Sequence, residues 1–403
     1  MQRDEFARLL TLEASSLLAE VGELDAKTDV VKLVSKLRAR GLDPQLVAAV
    51  LTQAKLRRRA RPKFGEFAST MLFTEDGLEQ ASRLQVAALH AGRFRDAGIR
   101  HVADLGCGIG TESLALASLG IQVSAFERDE IAAAAATFNL ASFSNVEVRQ
   151  ADVTEISLDE YDGLFFDPAR RELNGPKRAQ AKRKFDPEEY SPNFEFVLEQ
   201  ARLKPTGVKL GPGHPHEAVP KDAEAQWISV NGDLVELTLW FGKLARPGIA
   251  RSALLIGAGQ VRELNSAEPT EEPAELGALG AYIYEPDNAV IRSHLVGTLA
   301  RQLGLNLISP EIAYLSSEVA VESPWLRGFE VIEVLPFDRK QLKAYLREHG
   351  IGILEIKKRG SDVVPEQLRK ELSLKGENAA TLIVTRVGDV HRAIIARPLA
   401  SAN

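Results

Sequence analysis

The chain has 403 residues, 45% of them hydrophobic, and a formal net charge of −6. That length predicts more than one domain, the apolar share excludes a disordered chain, and the acidic balance excludes a surface basic all over. The single cysteine excludes an internal disulfide, and the seven histidines form no metal-spaced cluster. With no apolar leader and no run of about 18 apolar residues, a cytoplasmic protein without a membrane or metal partner is expected.

Residues 1–95 read as a helical domain. Phe6, Leu9, Leu10, Leu17, Leu18 and Val21 recur at helical intervals, as do Val30, Val31, Val34 and Leu37. Gly41 ends the second helix, and Asp43-Pro44 opens a third with a cap and a first-turn proline. Between Lys36 and Lys63 nine Lys/Arg stand against Asp43 alone. The plainer reading of that run is a solvated helix face; the sharper one is a phosphate-backbone contact. Thr74 is expected to cap one helix from Glu75 to Arg93. Phe67, Phe73 and Gly77 belong either to the near wall of a cofactor pocket or to simple aromatic packing.

Residues 96–260 alternate strand and helix, as a parallel sheet with helices on both faces does. Strands are expected at Ile99–Asp104, Ile121–Glu127, Val146–Gln150, Gly163–Asp167 and Gly207–Leu210, with a helix at Glu130–Leu140. Trp227–Val230 and Leu234–Phe241 pair about Asn231-Gly232, and Arg251–Ile256 continues the sheet. The organising stretch is Val102-Ala-Asp-Leu-Gly-Cys-Gly-Ile-Gly-Thr111. A strand ends at Asp104, glycines follow at Gly106, Gly108 and Gly110, and a helix starts at Thr111. Such glycines let the backbone turn sharply and approach a ligand where a Cβ would collide. Cys107, inside the loop, reads as a small filler.

Carboxylates then recur at strand ends. Glu127 closes the second strand, where two carboxylate oxygens suit two ribose hydroxyls. Asp152 follows the third, within reach of an adenine amine, and Asp167-Pro168 follows the fourth. Asp129 fits a helix cap. Singly each has the plain reading of a turn residue; four in succession beside a glycine loop point to a nucleoside cofactor. The loop is G-x-G-x-G, with Thr111 where a dinucleotide fingerprint has its third glycine. Asp104 would repel a pyrophosphate and attract an ammonium, which favours S-adenosyl-L-methionine over NAD.

Residues 261–328 read as a linker and helical connection: Asn265–Glu275 is acidic and proline-bearing, and 286–309 look helical. Residues 329–403 form a small α/β layer, with strands at Phe329–Leu335 and Ile353–Lys357. Helices are expected there at Arg339–Glu348 and Pro365–Lys370, and a closing strand at Ala380–Arg386.

On these residues the chain resembles the class I S-adenosylmethionine-dependent methyltransferases, and among them a bacterial group with a C-terminal THUMP-like domain. Asp104–Gly110 matches the family's first motif, Glu127 its ribose-binding acid and Asp152 its adenine-side acid. Phe165-Phe-Asp-Pro-Ala-Arg-Arg171 matches the fourth-strand motif; Tyr190-Ser-Pro192, Tyr284-Glu-Pro286 and Leu354-Glu-Ile-Lys-Lys-Arg-Gly360 are further shared segments. The resemblance implies a doubly wound, mostly parallel seven-stranded Rossmann-like sheet between an N-terminal helical domain and a C-terminal α/β domain. It implies a cofactor site at Asp104, Gly106, Gly108, Gly110, Glu127, Arg128, Asp152 and Val153, and methyl transfer at Asp167 and Pro168. By analogy with THUMP domains it implies an RNA substrate.

One departure stands out. Enzymes acting on exocyclic base amines carry Asp or Asn, two prolines and an aromatic that stacks on the extruded base. Here Asp167-Pro168 keep the amine-gripping half, while Ala169-Arg170 replace the second proline and the ring. Phe185, Tyr190 and Phe194 are the candidates to supply the stack.

Arg170, Arg171, Lys177, Arg178, Lys182, Arg183 and Lys184 stand against Glu172 alone beside the expected reaction mouth. A solvated loop is the bland reading; contact with a nucleic-acid backbone is the sharper one. Lys357-Lys358-Arg359 adds a patch in the last domain, and Tyr190 is placed on the substrate side. His214 and His216 line the pocket or supply a base. The expected function is methylation of a base nitrogen in RNA, tRNA or rRNA, by in-line transfer. The alternatives are a small-molecule or protein methyltransferase and a non-catalytic RNA-binding protein.

Overall fold

A computed structural model describes residues 3–22, 24, 30–170, 190–268 and 273–399. The chain divides into two compact units: Met1–Leu210 with Leu239–Ala245, and Gly211–Thr238 with Arg246–Asn403.

The first unit opens on helices Arg3–Leu9, Leu12–Val21, Val30–Ala39 and Pro44–Phe64. The last of these starts where expected, with Asp43 accepting the Gln45 N–H and Pro44 in the first turn. The expected helix Glu75–Arg93 is two, Glu75–Gln80 and Leu84–Asp96. Thr74 does cap the first, accepting the Gly77 N–H at 2.9 Å. The break comes at Ala81, whose backbone is extended. There the Lys63 ammonium donates to the Leu78, Glu79 and Ala81 carbonyls at 2.7, 2.8 and 2.9 Å, so the next helical turn is not needed to satisfy them.

Strands β1 (His101–Leu105), β2 (Gln122–Glu127), β3 (Val146–Gln150), β4 (Gly163–Phe166) and β7 (Thr206–Leu210) form a sheet in the order β7-β4-β1-β2-β3. All neighbours in that run are parallel. A short antiparallel pair, β5 (Ala169–Arg170) with β6 (Tyr190–Ser191), lies between β4 and β7 in sequence. The chain moves outward from β1 through β2 to β3, then crosses back to β4 on the other side of β1. The reversal opens a crevice at the carboxyl ends of β1 and β4, the place where doubly wound sheets bind ligands.

In the second unit β8 (Glu224–Val230), β9 (Asp233–Phe241), β10 (Arg251–Gly257) and β11 (Gln260–Ser266) run in the order β11-β10-β8-β9, and the end of β9 from Leu239 belongs to the first unit. Asn231 and Gly232 both take positive φ, 51° and 84°, as the tight hairpin between β8 and β9 requires. Strand β11 was not read from sequence, because its polar residues alternate with few apolar ones. Its Glu263 joins fully buried Glu224 in gripping Arg246, with 2.6 Å bonds to both carboxylates.

A second sheet holds β12 (Tyr282–Pro286), β13 (Asn306–Leu307), β14 (Leu315–Ser317), β15 (Leu326–Pro336), β16 (Ile351–Lys358), β17 (Asn378–Val387) and β18 (Val390–Pro398), ordered β13-β14-β12-β15-β18-β17-β16. Helices Arg339–Glu348 and Pro365–Leu372 pack Leu342, Leu346, Leu368 and Leu372 against it. Two readings are corrected here. The strand expected to close the chain turns at Gly388 into β18, which pairs with both β15 and β17. Residues 261–328, read as linker and helices, also contain β12 to β14 beside helices Asn288–Arg292 and Val296–Leu303.

Candidate active site

The loop between β1 and helix Thr111–Ser118 is built by its three glycines, at φ of 91°, 56° and 88° for Gly106, Gly108 and Gly110. A side chain at Gly106 would meet the Asp167 carbonyl oxygen at 2.9 Å, and one at Gly110 would meet Leu140 at 2.8 Å. A Cβ added at Gly108 would meet nothing within 4 Å. The outer glycines therefore serve packing, while the middle one exposes bare backbone to open space.

Glu127 ties that loop to the end of β2. Its Oε2 accepts the Gly108 N–H at 3.0 Å and its Oε1 the Asp129 N–H at 2.8 Å. Each oxygen keeps a second lone pair for a hydroxyl. Asp129 caps helix Glu130–Leu140 through the Ile131 and Ala132 N–H groups. Asp152 folds onto its own turn: its Oδ1 accepts both the Thr154 N–H at 3.0 Å and the Thr154 hydroxyl at 2.7 Å. Those bonds hold its carboxyl below the usual range, and Oδ2 faces the Arg128 guanidinium at 3.9 Å. Arg128 is exposed and Val153 buried.

Asp104 lies beneath the loop and is fully buried. Its Oδ2 accepts the Ser113 hydroxyl at 2.5 Å, while Oδ1 has no hydrogen-bond partner. Burial pushes the carboxyl up to about 7; the Ser113 bond opposes the shift, and Glu112 and Asp167 add to it. A buried carboxylate with one orphaned oxygen lacks a cation or donor.

Asp167 follows β4, and its Oδ2 accepts from the Lys209 ammonium at 2.6 Å. Lys209, on β7 and 12% exposed, also donates to the Gln80 carbonyl at 2.9 Å. Sequence reasoning missed it, although a lone lysine inside the apolar strand Thr206-Gly-Val-Lys-Leu210 was a visible signal. Pro168 is buried, as are Tyr190 and Phe194, whose ring centroids lie 6.2 Å apart. Arg170 lies on β5; Arg171, Lys177, Arg178, Lys182, Arg183, Lys184 and Phe185 lie outside the described residues.

Two expected basic patches are largely spoken for. In the Lys36–Lys63 run, Arg57 and Arg58 donate to the Met71 and Leu24 carbonyls, Arg40 pairs with Glu20, and Arg59 with Glu75. In the last domain Lys357 pairs with Glu285 at 2.6 Å, and Arg359 approaches Glu285 at 3.5 Å while lying over the Tyr314 ring. Only Lys358 of that trio is exposed. In the second unit His216 stacks on His294, centroids 3.9 Å apart, and sits 5.3 Å from the Trp227 ring. Its pKa falls to about 3, first through burial and then through His294, Arg292, Arg251 and His214, so the ring is neutral. His214 is fully buried, with its carbonyl accepting from Arg292. Among the described residues no helix is long and apolar enough to cross a membrane, and no His/Cys/Asp/Glu group of three or more is placed to hold a metal.

A crevice at a sheet reversal, with a bare glycine loop and a carboxylate at each neighbouring strand end, defines a nucleoside-cofactor α/β protein. Family models agree: a methyltransferase small domain matches residues 67–181, a THUMP domain-like model residues 326–398, and a domain of unknown function residues 2–60. Two uncharacterized S-adenosylmethionine-dependent methyltransferases from strains of Mycobacterium tuberculosis are each 35% identical to the chain over 364 residues, covering 87% of it and 96% of theirs. A methyltransferase crystal structure from Porphyromonas gingivalis shares the fold at a TM-score of 0.70 and 22% identity, covering 90% of this chain and 92% of that one. The chain belongs to the S-adenosylmethionine-dependent methyltransferases, with S-adenosylmethionine as cofactor and a C-terminal THUMP-like domain.

Proposed function

We propose that the protein methylates RNA, tRNA or rRNA, at a base nitrogen. The observation that carries this reading is the THUMP domain-like match over residues 326–398 joined to a methyltransferase core. The described residues fit the cofactor: Gly108 leaves space against its backbone, and the orphaned oxygen of Asp104 awaits a cation. Bound S-adenosylmethionine supplies an electrophilic methyl group on a sulfonium, a leaving group that needs no acid. What remains for the protein is to align the acceptor and keep water out.

Asp104 pairs with the amino-acid ammonium, Glu127 takes the ribose hydroxyls on its remaining lone pairs, and Asp152 and Arg128 flank the adenine side. Gly106 and Gly110 keep the loop's shape, and Val153 supplies apolar cover. Asp167, held by Lys209, accepts an N–H of the acceptor so that the nitrogen lone pair points at the methyl group, with the Pro168 segment alongside. The basic residues from Arg170 to Lys184, which follow Asp167-Pro168 in the sequence, contact backbone phosphates, each contact adding a salt-dependent increment.

Nucleosides of total RNA from cells with and without the gene, compared by mass spectrometry, test the reading. One methylated base should vanish with the gene and return with the intact chain but not with Asp167→Ala. An unchanged nucleoside profile would overturn RNA as substrate. Charge reversal at Arg178, Lys182 and Lys184 should weaken RNA binding in filter assays and flatten its salt dependence.

A further inference from the structure

The segment Met71–Phe73, just upstream of helix Glu75–Gln80, belongs to no helix or strand, yet Met71, Leu72 and Phe73 are at most 2% exposed. Buried backbone without secondary structure must find its hydrogen bonds elsewhere. Apart from the Met71 N–H, which donates to the Phe67 carbonyl at 3.3 Å, three side chains supply them. Gln53 grips both polar groups of Phe73, accepting its N–H at 3.0 Å and donating to its carbonyl at 2.6 Å. The Arg57 Nε donates to the Met71 carbonyl at 2.9 Å. Asn139 accepts the Leu72 N–H at 2.7 Å and donates to the Leu72 carbonyl at 3.0 Å.

The same Asn139 amide also donates to the carbonyl of Ile109, inside the glycine loop, at 3.0 Å. A few residues on, Gly77 packs so closely on the loop that a Cβ there would meet Ile109 Cγ2 at 2.5 Å. Gln53 and Arg57 are both buried and lie on helix Pro44–Phe64, the long helix of the N-terminal region. Phe64 at its end meets the Phe73 ring edge-on at 5.3 Å, and Lys63 holds the far end of helix Glu75–Gln80.

From this chain of contacts we infer that the N-terminal helical region works as a rack for the cofactor loop: Gln53 and Arg57 fix Met71–Gly77 against Ile109 and so set the affinity for S-adenosylmethionine. They are positioning residues, acting through the loop and not on the cofactor. This gives a task to the part of the chain that matches a domain of unknown function. It rests on the cofactor seat proposed above at Gly106–Gly110.

The test uses the full chain, S-adenosylhomocysteine as titrant in calorimetry, and hydrogen exchange of the ligand-free protein. Gln53→Met keeps the volume and removes both bonds; Gln53→Glu keeps an acceptor for the Phe73 N–H and serves if the first variant does not fold. Gln53→Met should weaken binding about tenfold, the equivalent of one net hydrogen bond. Exchange should quicken in peptides covering 71–77 and 106–111 while helix Leu12–Val21 keeps its protection, and Gln53→Glu, which sets a carboxylate oxygen against the Phe73 carbonyl, should show an effect of the same kind. A folded variant that binds within twofold of the parent, or whose 106–111 exchange is unchanged, overturns the rack. If the parent chain itself takes up no ligand, the cofactor seat falls instead, and the exchange at 106–111 still decides the coupling.

Discussion

Asp104 is bonded to Ser113 through one oxygen while the other is orphaned, and burial brings it to about 7. Below that pH it is protonated and cannot pair with an ammonium. Cofactor affinity should therefore rise with pH, by up to about tenfold per unit, until the carboxyl is ionised near pH 7. Asp104→Asn should bind more weakly and lose that dependence; calorimetry at pH 6 and pH 8 checks both. The placement of the glycines, Asp104, Glu127 and Asp167 was legible because the sequence marks the strand ends where they lie. Lys209 was not, because only the fold brings β7 beside β4 and an ammonium within 2.6 Å of Asp167. For the same reason Lys357 and Arg359 look like an RNA patch in sequence, although both are paired with Glu285, some seventy positions earlier.

Among the elements, helix Glu130–Leu140 and strand Val146–Gln150 match the expected bounds, since capping by Asp129 and the turn before Val146 are local signals. Helix Glu75–Gln80 ends early for a reason no local pattern carries, the reach of Lys63 from another helix. Its tight seat makes a prediction: Gly77→Ala, harmless to an exposed helix, should destabilise the chain by about 1–3 kcal/mol through overpacking on Ile109, seen in urea unfolding. In the second unit Arg246 joins Glu224 on β8 to Glu263 on β11. Arg246→Met would strand two carboxylates, one of them fully buried, and should cost about 3–5 kcal/mol by the same measurement.

For the molecule as a whole, acid should be the weak side. His216 has a folded pKa of about 3 against an ordinary 6.5, so its neutral ring contributes fully above pH 6.5 and that contribution is lost as pH falls toward 3. Thermal melts between pH 7 and pH 4 should show a falling Tm, with a shallower decline in His216→Phe. The α/β class, the parallel run of strands that includes β1 and the small C-terminal α/β layer were all readable, because period-two and period-3.6 patterns are strong there. Strands β11 and β18 escaped because each follows a tight turn and has a lone valine among its first three residues. Glu127, finally, carries a lesson for anyone retooling the enzyme for cofactor analogues. Because its carboxylate pegs Gly108 and Asp129 as well as serving the proposed ribose contact, deleting it to admit an altered ribose would also slacken the loop. A redesign should keep both acceptor oxygens there, which glutamine does not, since its amide NH2 would face one of the two N–H groups, and seek its new selectivity at Asp152 or Arg128.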